Sequence, residues 1–551
     1  MDKKGSITSA DENTNTLTCF IGDMRMRNKA SIIALAFICF GICLSANADV
    51  ERWGIFELSL NGPAQGNPFV GVEFSAVFKN GDNVYEPEGF YDGNGVFKIR
   101  FMPDLEGTWT YETKSNYDFL NGKTGRFICT APSASNHGPV RVRNQYHFEY
   151  ADGTAYYPFG TTIYEWAFLP EKVRNLTLES LKSSPFNKAR MLLVFPYRDN
   201  YMQGPDKLSC FPYEGDSKDN WDFSRFDPEF FRGVEKCVSQ LNDLGIEADL
   251  IIFRPYDGGK IGFDTMDMDS NERFLRYTVA RFAAYKNIWW SLCNENSFIR
   301  HLTDEDWDVL FRVLCDCDPY SHLRSIHNAD RLYNYTHPWV THASLQYHMT
   351  LCNPGISAVL RDIYRKPIVH DEIQYEGDIE YRWGQLSGED MVYRFWNAYV
   401  GGAYATHGES LEAGKYGVGD GWISIGGKLV GQSPSRIAFL RNIVESGPKE
   451  GIEPIDHCYI PNMGGKSGSY YLIYFGKDKI TQWPFELPKE NLSDGMKFKA
   501  EIIDTWNMTV EPVDRTFEIE KINRYKFADK NRSVITLPSK PYMALRITGM
   551  D

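Results

Sequence analysis

Between residues 140 and 445 the chain repeatedly alternates apolar, strand-like runs with segments of helical periodicity, and nearly every apolar run ends in polar residues. The runs are YYPFGTTIYEW (156–166), ARMLLVFP (189–196), EADLIIFRP (247–255), NIWWSLCNENSF (287–298), SIHN (325–328), THASLQYH (341–348), PIVHDEIQ (367–374) and AYATHGES (403–410). Between several of them lie helices. Residues 227–244 place Phe230, Phe231, Val234, Cys237, Val238, Leu241 and Leu244 at three-to-four spacing before Gly245, and 271–286 is a second amphipathic stretch. Thr303 to Asp306 opens a further helix with a capping-box pattern. Eight such strands over roughly 300 residues predict a (β/α)8 TIM barrel rather than a doubly wound sheet. No G-x-G-x-x-G, G-x-x-x-x-G-K-[ST] or G-x-S-x-G motif stands at a strand exit, which removes nucleotide-binding and hydrolase-elbow readings.

The flanks have a different texture. RWGIFELSL (52–60), VGVEFSAVFKN (70–80), GVFKIRFMP (95–103) and GTWTYETKS (107–115) are short strands between Asn- and Gly-rich turns, the pattern of a β-sandwich. It closes at the Pro- and Ser-rich linker CTAPSASNHGP (129–139). Beyond Glu445, YYLIYFG (470–476), KFKAEIIDTWNM (497–508) and PYMALRITGM (541–550) predict a second sandwich. The expected architecture is multidomain: an N-terminal β-sandwich over 49–135, the barrel over 140–445 and a C-terminal β-sandwich over 446–551.

Residues 1–48 read as a targeting region. MRMRNK (24–29) is basic, 30–44 is an apolar run too short to span a bilayer, and Ala46-Asn47-Ala48 is a small-x-small cleavage site. The expected start is Met24 or Met26, the expected cleavage follows Ala48, and the expected location is secreted, periplasmic in a bacterium. A net charge of −14 argues against nucleic acid and anionic membrane as partners. Eight scattered cysteines remain after residue 48, no disulfide framework and no zinc spacing. Neither a metal nor a cofactor is expected.

In a barrel, chemistry gathers at the C-terminal ends of the strands. Those ends carry Tyr164-Glu165-Trp166, Tyr197-Arg198, Arg254-Tyr256-Asp257, Asn294-Glu295, His327-Asn328, Gln346-Tyr347-His348, Asp371-Glu372 and His407-Glu409. Glu295 closes the fourth strand and Glu372 the seventh. Glu is a poor turn former, so its place at the end of a buried strand needs another reason. Two carboxylates facing one another across a barrel mouth supply what glycoside hydrolysis requires: one protonated acid for the leaving oxygen and one ionised group opposite, about 5 Å away if the reaction retains configuration. The assignment is Glu295 as acid/base and Glu372 as nucleophile. Asn294 is expected to hydrogen-bond the sugar hydroxyl beside the reacting carbon, and Tyr347 to orient Glu372. Arg254, His327, His348 and His407 are expected to contact substrate. Trp166 and Trp422 are candidate sugar platforms, with core packing the alternative for both. Asp371 is read as a structural hydrogen-bonding partner, because neighbouring strand residues point to opposite sides. A strand-end Glu paired only with Arg254 or Arg198 is the bland reading, and a non-catalytic carbohydrate-binding protein on the same scaffold is the rival function.

The barrel resembles the clan A glycoside hydrolases, whose acid/base follows Asn on strand four and whose nucleophilic Glu ends strand seven. More closely, GIEADLIIFRPYD, NIWWSLCNEN, LRSIHN, WVTHASLQ, KPIVHDEIQYEG, ATHGES, SPSRIAFLR and IDTWNMT are similar, in order and spacing, to the apiosidase-like bacterial glycosidases with sandwich domains on both sides. The resemblance covers essentially all of the chain after residue 48. It implies catalysis by Glu295 and Glu372, Asn294 beside the acid/base, a retaining mechanism and a carbohydrate substrate. An aromatic usually closes strand eight in clan A; here that position offers His407 and Glu409, with Trp422 in the following loop.

Overall fold

The computed structural model describes residues 49–195, 211–215, 220–259, 261–346, 354–411, 425–455 and 462–550. The targeting region, Tyr347, His348 and Trp422 lie outside them.

Eight parallel strands form the central sheet: β1 (Phe159–Thr162), β2 (Lys188–Leu192), β3 (Glu247–Phe253), β4 (Ile288–Cys293), β5 (Arg324–Ser325), β6 (Ala343–Gln346), β7 (Ile368–Glu372) and β8 (Tyr404–His407). They pair in sequence, β8 returns to β1, and a parallel bridge from His327 to Ser344 joins the β5 and β6 edges. The ring therefore closes, as the eight-run pattern predicts. Strands β2, β3, β4, β7 and β8 are buried at every position, because helices cover the outer face while side chains fill the lumen.

Seven helices follow: α1 (Glu171–Lys182), α2 (Pro228–Asp243), α3 (Met268–Phe282), α4 (Asp304–Cys317), α5 (Ser357–Tyr364), α6 (Gly388–Val400) and α7 (Ser433–Glu445). Between β5 and β6 there is no α-helix; turns connect them. The apolar stripe read from sequence on α2 is its buried face, and Asp227 caps its first turn by accepting from Glu229 N–H. The capping box at Thr303 and Asp306 forms.

The N-terminal domain packs a five-stranded antiparallel sheet with one parallel edge against a three-stranded sheet around Phe56, Phe78, Phe101, Trp109 and Phe127. It is bolted to the barrel by buried charge. Arg100 pairs with Glu235 of α2 at 2.9 Å and donates to the Arg281 carbonyl of α3, while Arg281 pairs with Asp92 of the sandwich at 2.9 Å. Residues 140–156 form a small three-stranded sheet, from which Phe148 packs on Trp289 of β4 with ring centroids 5.0 Å apart. The C-terminal domain is an all-strand layer whose Tyr474 meets Trp396 of α6.

Candidate active site

Beneath the barrel mouth lies a buried ion network. Lys188 of β2 reaches Asp249 of β3 at 2.5 Å and Asp371 of β7 at 2.6 Å, and Arg190 of β2 lies 3.0 Å and 3.3 Å from the same two carboxylates. Asp371 also accepts from Ser344 and Thr406. The two cations hold the Asp371 carboxyl far below the usual carboxylate range against the effect of burial. Asp371 is thus structural, but not for the alternation predicted from sequence. The β6–β7 register skips it, Leu345 pairing with His370 and Gln346 with Glu372. This bulge sends His370 outward to Ser357, Asp371 into the lumen and Glu372 to the mouth.

Arg190 begins a chain of hydrogen bonds to the other carboxylate. Its Nη2 donates to Asn294 Oδ1 at 2.7 Å, Asn294 Nδ2 donates to the Tyr256 hydroxyl at 2.5 Å, and that hydroxyl donates to Glu295 Oε2 at 2.8 Å. Each link fixes the next: the guanidinium only donates, so the amide oxygen must face it and the amide nitrogen must face Tyr256. Burial and the two glutamates keep the Tyr256 phenol well above its ordinary value, hence protonated. Glu295 itself turns the chain, in left-handed conformation at φ 48° and ψ 48°. That conformation is sterically costly for a residue with a Cβ, and it is where a Glu replaces the usual turn residue.

Gln346 joins the two halves. Its Nε2 donates to Glu295 Oε1 and to Glu372 Oε2, each at 3.1 Å. Because one nitrogen reaches both, those oxygens lie no more than about 6.2 Å apart. Tyr164, just past β1, donates to Glu372 Oε1, and the Tyr375 hydroxyl lies 3.4 Å from that of Tyr164. Gly408 permits this, since a Cβ there would sit 1.9 Å from the Tyr375 ring. Burial, and then the Glu295 charge, raise the Glu372 pKa.

His327 is buried with Nδ1 3.0 Å from Ser344 Oγ, whose proton goes to Asp371. The network therefore assigns the proton to Nδ1, leaving Nε2 as an acceptor 3.7 Å from Glu372 Oε1. Burial and Arg190 hold this imidazole neutral, well below its ordinary pKa. Among the described residues His327 Nε2 and Gln346 Oε1 find no hydrogen-bond partner.

The structure brings Asn294, Glu295, His327 and Glu372 together. It withdraws three other expected contacts. Trp166 is fully buried beneath α1 and donates to the Arg174 carbonyl: core packing, not a platform. Arg254 is also fully buried, pairing with Asp257 and donating to the Val194 and Phe195 carbonyls. It ties β3 to the end of β2. His407 bonds Thr161 and stacks on Phe186, away from solvent. Its neighbours Glu376 and Glu409 share a buried cluster with it, in which Glu409 accepts from Val430 and Gly431 N–H and Glu376 from Gln432 and Ser433 N–H at the start of α7. No role for Tyr164, Arg190, Tyr256, Gln346 or Tyr375 follows from the sequence, although Tyr164, Tyr256 and Gln346 stand at strand ends where polar residues gather.

Residues 143–410 match the model of the apiosidase-like catalytic domain, and 49–116 and 460–548 match the domains of unknown function DUF5060 and DUF5605. A candidate glycoside hydrolase from Bacteroides vulgatus is 40% identical, with a TM-score of 0.85 over 91% of this chain and 100% of its own. The chain belongs to the apiosidase-like family of glycoside hydrolases. A glycoside hydrolase family 5 structure, also from Bacteroides vulgatus, shares the fold at 13% identity, with a TM-score of 0.55 over 75% of this chain and 93% of that one. No curated protein matches.

Proposed function

We propose that this glycoside hydrolase cleaves O-glycosidic bonds of a polysaccharide, or an oligosaccharide derived from one, with retention of configuration, Glu372 acting as nucleophile and Glu295 as acid/base. The bridge of Gln346 carries this reading, because carboxylate oxygens that share one donor stand closer than the roughly 6.5–9.5 Å that an additional water between them requires. The Tyr164 hydrogen bond and the positive charge of Arg190 oppose the rise that burial and the Glu295 charge impose on the Glu372 pKa; Glu295, as the acid, gives a proton to the leaving oxygen while a Glu372 oxygen bonds the anomeric carbon. Glu295, now a carboxylate, takes a proton from water. The hydroxide attacks the same carbon and releases Glu372. The acceptors His327 Nε2 and Gln346 Oε1, unpartnered among the described residues, and the second N–H of Asn294 suit a hydroxyl-rich substrate. The basic and apolar segment 24–44 before Ala46-Asn47-Ala48 supports an exported, periplasmic setting.

The test is sugar release from a panel of plant, host and microbial glycans, furanosides included, by the native chain, Glu372→Gln and Glu295→Gln. Release by the native chain alone is the expected result. Equal release by Glu372→Gln removes the nucleophile and the retaining mechanism together. Binding by all three with no release by any supports a carbohydrate-binding protein instead.

A further inference from the structure

Seven aromatic residues reach solvent among the described residues, and four of them, Tyr256 (through its ring, its hydroxyl lying inward), Phe298, Tyr381 and Trp383, follow the C-terminal ends of β3, β4 and β7. Isolated exposed aromatics need no explanation, but Tyr381 and Trp383 are not isolated. Their ring planes are 7° apart with centroids at 5.8 Å, and they are 58% and 43% exposed. The two parallel, stacked rings leave an apolar aromatic face open to solvent.

That face is held rigidly. The Trp383 carbonyl accepts from Tyr375 N–H, Leu386 N–H donates back to the Tyr375 carbonyl, Gly377 N–H donates to Leu386, and Ser410 Oγ donates to Gly384. A Cβ on Gly384 would meet Ile379 and Ser410 side-chain atoms at 2.6 Å, so the turn sits directly on the loop leaving β8. The Trp383 ring packs edge-on against the buried Tyr375 ring at 5.2 Å, and Tyr375 ends at the hydroxyl pair that holds Glu372. One tyrosine ring separates the exposed face from the nucleophile. No comparable contact links it to Glu295, whose own exposed neighbours are Tyr256 and Phe298.

The geometry points to Tyr381 and Trp383 as a stacking platform for a pyranose ring of the substrate chain on the glycone side of the cleaved bond. The axial C–H groups of a pyranose form an apolar face that a flat aromatic surface matches and that water solvates poorly. The nucleophile engages the sugar that keeps the anomeric carbon and the acid/base engages the departing one, so a surface built onto the nucleophile's tyrosines serves the retained side. This rests on the proposed roles of Glu372 and Glu295.

Two measurements separate the platform from those roles. In the first, Trp383→Ala, Tyr381→Ala and Trp383→Phe are assayed on an oligosaccharide that the native chain cleaves and on the aryl glycoside of its terminal sugar. The platform predicts a KM raised roughly tenfold on the oligosaccharide for Trp383→Ala, kcat within about threefold, the aryl glycoside little changed, and partial recovery in Trp383→Phe. Loss of kcat on both substrates, or no change on either, overturns it. In the second, Glu372→Gln is run through native gels containing rhamnogalacturonan, xylan, mannan or mucin glycans, with and without Trp383→Ala. Retardation abolished by Trp383→Ala supports the platform even if no turnover is found. Retardation that survives, or none in any gel, overturns it, while turnover by the native chain leaves the two-carboxylate mechanism standing. Unchanged circular dichroism and melting temperature certify each variant's fold.

Discussion

Replacing Tyr164 by Phe removes one hydroxyl and leaves the ring. In the native chain that hydroxyl donates to Glu372 Oε1, and it is the principal hydrogen bond favouring the ionised form of that carboxyl. A hydrogen bond to a charged group is worth about 1.5–3 kcal/mol. With 1.36 kcal/mol per factor of ten, its loss costs roughly one to two orders of magnitude in kcat/KM. The same loss raises the Glu372 pKa further, because the Tyr164 hydrogen bond lowers it. A nucleophile must be ionised, so the acidic limb of the pH profile of kcat/KM moves to higher pH while the basic limb stays. Tyr375 lies 3.4 Å from the missing hydroxyl and its own contact with Glu372 also lowers the carboxyl pKa. The single variant should therefore fall at the lower end of the range, and Tyr164→Phe/Tyr375→Phe should cost more than the sum of the two singles. The assay is the pH dependence of initial rates on the substrate identified by the glycan panel. An unshifted acidic limb, or a pure KM effect, would refute the assignment of Tyr164 as the group that holds the nucleophile ionised.

Two predictions concern stability. Asp371→Asn leaves Lys188 and Arg190 buried with only Asp249 to balance them; an unbalanced buried charge costs about 3–5 kcal/mol, read as a lower urea midpoint, and a loss under 1 kcal/mol would show the network to be unimportant for stability. Burial raises the Glu409 pKa from 4.5 to about 7. Between those values the fold keeps a proton that the unfolded chain has released, so stability falls as pH rises through the window and stays lost above it. Glu409→Gln, which cannot ionise, should gain up to about 3 kcal/mol over the native chain at pH 8 relative to pH 4; identical pH profiles of the melting temperature would show that Glu409 is ionised in the fold throughout.

Much of this was legible along the chain. Runs such as EADLIIFRP and NIWWSLCNENSF are apolar at every position because parallel barrel strands are covered on both sides, and counting them numbers the strands that Glu295 and Glu372 close. Helix stripes and caps are equally local, set by spacing over a few residues. What the sequence determined by itself was the order of elements, the ring of eight strands and the two glutamates at its rim. Tertiary structure decided which rim residues look into the mouth. Arg254, Trp166 and His407 stand at strand ends as Asn294 does, yet closure of the barrel turns them into the protein, and a bulge opposite Leu345 and Gln346 aims both Asp371 and Glu372 inward where alternation would separate them. Tyr164, Arg190, Tyr256 and Gln346 converge on the carboxylates from four different strands or their following loops. No spacing along the chain encodes that meeting, because hydrogen bonds between groups tens to hundreds of residues apart exist only once the ring has closed.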